Sequence, residues 1–138
     1  MIVTVLCADS YEDENYFDYA LSHFKSDKVY VMSGYKCDAS KKLKDAPHIA
    51  DMSEVTEDFP IYVFAPKNAR NFTPDLQLQD FNAPEDCILV FGPNNTHLMK
   101  DHLGDKTPAN IVEIPTDEDT TMYSYSAYLV AMWHIRNG

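Results

Sequence analysis

The residue types that could do chemistry in this chain are quickly narrowed by their spacing. Its four glycines (Gly34, Gly92, Gly104, Gly138) build neither a phosphate-cradling loop nor a dinucleotide fingerprint. No Gly-x-Ser-x-Gly elbow presents a nucleophilic serine. His97 and His102 are five residues apart, so on a helix they face different sides and share a metal poorly. The remaining histidines, His23, His48 and His134, read as surface or internally bonded side chains, and no metal is expected. Cys7, Cys37 and Cys87 form an odd, unpaired set, which favours reduced thiols in a cytoplasmic compartment. Cys7 and Cys87 lie in strand-like runs and read as small buried hydrophobes. The acids are too numerous to single out a carboxylate dyad. What survives is a pair of strand ends closed by proline, Phe91-Gly92-Pro93 and Ile114-Pro115, followed by an apolar run from Met122 to Trp133. Proline ends a strand cleanly and leaves carbonyls free, so such turns can bind a ligand through backbone alone.

The elements that must position these turns follow from pattern. Continuous apolar runs at Ile2–Cys7, 28–32, 60–64, 87–91 and 110–114 predict five strands. Tyr16, Phe17, Ala20, Leu21 and Phe24 recur at three- and four-residue spacing and predict an amphipathic helix over 13–24. Asn94 or Asn95 can cap a short helix running to about Leu103, with Gly104 as its stop. A last helix is predicted over 121–136. Strands that are continuous rather than alternating in polarity, separated by helices, predict an α/β fold: one parallel-sheet domain over 1–138 with helices on both faces. Ligands in such sheets sit beyond the carboxyl ends of the strands. The last helix is apolar around its circumference from Ala127 to Trp133, so it needs burial on more than one side. Either a subunit interface or the interior of the monomer would supply the second surface.

The order and separation of these turns resemble the cofactor-binding half of the SPOUT methyltransferases. Phe91-Gly92-Pro93 matches that family's first turn and Ile114-Pro115 its second. Thr121-Met122-Tyr123 falls where the family enters its last helix, and Ala127 where it places a small residue against the pocket. The match is clearest over residues 87–133, with a weaker one from Leu6 to Asn15. The resemblance implies a trefoil knot near the C-terminus and a homodimer formed through the C-terminal helix. It implies S-adenosylmethionine as cofactor, and methyl transfer to RNA, with a tRNA ribose 2′-hydroxyl as the favoured acceptor. The implied cofactor-binding residues are Phe64, Ala65, Phe91, Gly92, Pro93, Ile114, Pro115, Met122 and Ala127. A non-catalytic dimer that uses the pocket for a ligand or protein partner is the alternative, and an unrelated acidic binding domain is a third.

The departures fall where the family keeps its chemistry. Asn15 is followed by Tyr16, Phe17 and Asp18, with no arginine on that helix; Asn94 stands in place of a glutamate and Tyr123 in place of an asparagine. Asn15, Asp18, Asn94 and Tyr123 are therefore the candidate catalytic positions, while Lys67 and Arg70 could meet phosphate. The net charge of -11 disfavours passive attraction to nucleic acid. The basic residues are nonetheless unevenly spread, with six between Lys25 and Lys44 (Lys25, Lys28, Lys36, Lys41, Lys42, Lys44), enough for a patch. No apolar run approaches the ~20 residues of a membrane span. The Met1–Cys7 start reads as a strand rather than a leader.

Overall fold

The computed structural model describes residues 1–8, 11–32, 43, 45–66, 69, 72–92, 100–117 and 122–138. The strands are β1 (Ile2–Cys7), β2 (Lys28–Met32), β3 (His48–Ile49), β4 (Ile61–Phe64), β5 (Leu76–Gln77), β6 (Cys87–Phe91) and β7 (Asn110–Glu113). The helices are α1 (Tyr11–His23) and α2 (Ser124–Asn137). Short 3-10 turns occupy Met52–Glu54, Leu78–Asp80 and Lys100–Leu103. The strands form one sheet in the order β3-β2-β1-β6-β4-β7-β5, and every pairing is parallel.

The sheet sorts its side chains by the strand period of two. Val3, Val5, Cys7, Ile88 and Val90 enter one core layer with Met52, Phe72 and Leu103. Leu6, Leu89 and Phe91 enter the other, with Phe17 and Ala20 of α1 and Tyr128, Ala131 and Met132 of α2. β6 is buried along its whole length, as its unbroken apolar run requires. The expected helices on both faces are not what the described residues show. Both α-helices lie on the second layer, while 3-10 turns at Met52 and Leu103 help cover the first. Two strands escaped the sequence reading, β3 and β5, each two residues long and held at an edge by pairing.

The chain runs outward from β1 to β2 and β3, then crosses to β4 on the far side of β6. In an open α/β sheet the usual ligand position is the crevice beyond the strand carboxyl ends at such a reversal, which here falls at β1, β6 and β4. Leu6, Phe91, Phe64 and Val112 stand side by side across that edge. The predicted helix ending at Leu103 is described only as a 3-10 turn from Lys100; its earlier residues lie outside the described set. Gly104 ends that turn in the left-handed region, φ 58°, as a glycine stop requires.

Candidate functional site

Of the expected ligand residues, Phe64, Ala65, Phe91 and Gly92 lie at the carboxyl ends of β4 and β6. Phe64 and Phe91 close β4 and β6 and stack with ring centroids 4.7 Å apart at 10°. Phe91 meets Tyr128 edge-on at 5.5 Å. At 7% and 1% exposure these rings are core, so what β4 and β6 can offer a ligand here is backbone. Ala65 is buried, and its N–H donates to the Val112 carbonyl at 3.0 Å, tying the β4 end to β7. Gly92, Ile114, Met122 and Ala127 are half-buried, and Pro115 is exposed. Pro93 and Asn94 lie outside the described residues, as do Lys67 and Arg70.

The N-terminus of α2 closes on the β6 turn. Tyr123 takes the cap position without a side-chain hydrogen bond. Ser124, one residue on and buried, donates its hydroxyl to the Gly92 carbonyl. The bond spans 32 residues of sequence, and the only local signal for it is a serine at a helix start. Tyr123 and Asn15 point into solvent rather than into the crevice, Tyr123 with 60% exposure. Tyr123 stacks on Tyr125 at 5.8 Å, and Tyr125 on Tyr16 of α1 at 4.8 Å, so the three rings brace the two helices. Asp18 is half-buried and holds interactions of its own. The helix turns two acids inward: Asp13, buried and holding interactions of its own, and Glu14, fully buried with neither carboxylate oxygen hydrogen-bonded. The sequence signal was available: Glu14 and Phe17 share a helix face at three-residue spacing.

The rest of the chemistry lies elsewhere. Lys28, at the amino end of β2, bonds Glu57 at 2.9 Å and sits 4.8 Å over the Tyr30 ring, so it is committed away from the carboxyl edge. Of the other lysines in that stretch, Lys25 is exposed and Lys36, Lys41, Lys42 and Lys44 lie outside the described residues. Cys7 and Cys87 are buried and unbridged, and burial pushes the Cys87 thiol up to about 11. A cavity of about 400 Å³ opens at the amino end of β7, lined by Phe72, Leu103, Lys106 and Ile111 among others. It includes none of the expected ligand residues. Among the described residues no group of His, Cys, Asp and Glu could hold a metal, and no helix is long and apolar enough to cross a membrane.

This all-parallel sheet, with α2 bonded to the turn after β6, is similar in fold to solved SpoU-type RNA methyltransferase structures. Among solved structures, the chain is similar to the SpoU methyltransferase AviRb from Streptomyces viridochromogenes, with TM-score 0.76 and 11% identity. That match covers 98% of this chain and 58% of AviRb, so the chain spans under two thirds of that protein's length. A structure of AviRb in complex with AdoMet matches with TM-score 0.73 at 12% identity, over 98% of this chain and 58% of that one. TrmJ from Z. mobilis matches with TM-score 0.72 at 14% identity, over 99% of this chain and 68% of TrmJ. A structure described for 2-OH methylation of C/U34 on tRNA matches with TM-score 0.69 at 15% identity, over 98% of this chain and 89% of that one. No family model and no curated protein matches the sequence. At these identities the likeness establishes the fold.

Proposed function

We propose that this chain is a single SPOUT-like domain that binds S-adenosylmethionine at the carboxyl edge and methylates RNA, with a tRNA ribose 2′-hydroxyl as acceptor. The observation that carries the reading is the seam where Ser124 of α2 bonds the Gly92 carbonyl. It closes a backbone-lined, half-apolar edge on the fold that AviRb uses with AdoMet bound. The residues fit that group. Backbone at Ala65, Gly92 and Pro115 can bond an adenine edge, over the floor of Phe64 and Phe91. Ile114, Met122 and Ala127 are half-buried apolar neighbours for a flat ring. S-adenosylmethionine, when bound, supplies an electrophilic methyl group on a cationic sulfonium. The chain's own task is then to hold an acceptor in line, and positioning supplies much of the rate.

The reading includes a trefoil knot, supported by β7 inserting between the earlier strands β4 and β5. It includes a homodimer through α2, supported by Val130 and Trp133, which are 38% and 58% exposed on a helix without a polar stripe. Reduced, buried thiols suit a cytoplasmic setting. Calorimetry with S-adenosylmethionine tests the site. Gly92→Val is expected to abolish binding, because a branched side chain would crowd the turn that Ser124 closes; unchanged affinity would remove Gly92 from the site.

A second reading, a non-catalytic dimer of the same fold that binds a ligand or protein partner, is favoured by one observation. Asn15 and Tyr123 face solvent instead of converging on the crevice. Transfer of labelled methyl groups to bulk tRNA decides between the two, since robust turnover eliminates the second.

A further inference from the structure

Among the described residues, the buried side-chain oxygens without a hydrogen-bond partner are the two of Glu14. The residue is 0% exposed. Burying a carboxylate without a partner is costly. The N-terminus of α1 offsets a fraction of that cost through its dipole, but no N–H bonds the carboxylate. Such a group persists where the missing partner arrives with a ligand.

Placement says which ligand. Glu14 lies in the first turn of α1, which leaves β1 at the carboxyl edge. Helical side chains tilt toward the helix N-terminus, so Glu14 leans back toward that edge. Phe17, on the same helix face, packs in one layer with Leu6, Phe91 and Tyr128, which sets Glu14 on the face of the sheet that carries both helices. The turns after β4, β6 and β7 can satisfy an adenine with backbone alone, and the acids beyond Pro115 begin with Asp117, which is exposed and screened by water. A sulfonium is a cation without a hydrogen-bond donor; what it asks of a protein is negative charge at close range, and a carboxylate with both oxygens free offers that.

We propose that Glu14 is the countercharge for the sulfonium of the bound cofactor. The proposal rests on the cofactor reading above and adds a residue to it. The test is calorimetry of wild type and Glu14→Gln with two probes, S-adenosylmethionine and its neutral demethylated product. The variant is expected to weaken the cationic probe by at least about tenfold while changing the neutral one by less than about twofold. Its ligand-free melting temperature is expected to equal or exceed that of wild type, because an unpartnered charge has been removed. Glu14→Met, of similar length, repeats the comparison and guards against a folding defect particular to glutamine. Equal weakening of both probes, no weakening of either, or a fall in ligand-free melting temperature in both variants would overturn the assignment while leaving cofactor binding intact. Failure of wild type to bind either probe would overturn the cofactor reading, and this assignment with it.

Discussion

Removing one hydroxyl, by Tyr128→Phe, isolates what locks α2 onto the sheet. Tyr128 is fully buried. Its ring meets Phe91 edge-on, and its hydroxyl donates to the Phe24 carbonyl at 2.5 Å and lies 3.0 Å from Ser26 Oγ. Ser26 in turn bonds Thr4 Oγ1 at 2.5 Å, so the network joins α2, the exit of α1 and β1. Burial raises the phenol above its ordinary value, so it remains a donor at neutral pH. The variant keeps the ring and removes one strong bond, leaving the Phe24 carbonyl without that donor. An unsatisfied buried acceptor costs about 1–3 kcal/mol. Phe24 and Ser26 are half-buried, which lets water repair part of the loss and places the cost near about 1.5 kcal/mol. At an unfolding entropy of about 2.1 cal/mol/K per residue, 138 residues lose about 3.5 °C per kcal/mol, so the midpoint should fall by about 5 °C. Thermal melting followed by circular dichroism reads this directly. A double-mutant cycle with Ser26→Ala should show coupling, because the two side chains share one network. A fall below about 1 °C, or strict additivity, would refute the claim that this hydroxyl is a structural anchor.

Three further outcomes are expected. The Tyr30 hydroxyl, 2.6 Å from Glu57 Oε1, and then Lys28 hold the Glu57 carboxyl below its ordinary value. A depressed carboxyl stabilises above its unfolded value and loses that stabilisation as pH falls through its folded one. Glu57→Gln should therefore melt lower than wild type at pH 7, by about 1 kcal/mol after solvent screening, and the gap should close below about pH 4; a pH-independent gap would contradict this. With its thiol pushed up to about 11, Cys87 is about one part in a thousand thiolate at pH 8. Iodoacetamide should spare it in the native protein and label it in guanidinium, as read by mass spectrometry, and labelling at a free-thiol rate would refute its burial. Trp133→Glu should convert a wild-type dimer to monomer in sedimentation velocity, and a wild-type monomer would remove α2 as an interface.

The long strands were legible because each is an unbroken apolar run flanked by turn residues, and a parallel sheet covered on both faces demands such runs. β3 and β5 were not. His48-Ile49 and Leu76-Gln77 have no period to read, and they are strands because Val31–Met32 and Val112–Glu113 offer open edges at the right height. Helix boundaries moved by two or three residues: α1 begins at Tyr11 rather than 13, and α2 at Ser124 rather than 121. The strand-end residues at Phe64, Phe91 and Ile114 were placed along one edge, since parallel register fixes where strands stop together. Which side chains face that edge was harder to read. An acid in a surface-like helix is ordinarily solvated, and that expectation hid Glu14 behind its neighbours Asn15 and Asp18.

The departures from the resembled family have a common physical direction. α1 carries no lysine or arginine; it places Phe17 in the core, Asp18 half-buried and Glu14 fully buried. Backbone turns are indifferent to such changes, because their donors and acceptors are fixed by strand register and proline rather than by side-chain type. A ligand held mostly by backbone can therefore be kept without the arginine, glutamate and asparagine that the resemblance implies at these positions. The net charge of -11 points the same way, since it opposes a polyanion over the whole surface while leaving a small cationic ligand unhindered. Cofactor binding and RNA methylation are thus separable properties of this fold. Under the proposed reading, cofactor binding rests on backbone atoms, and RNA methylation rests on side chains other than the set the resemblance implies.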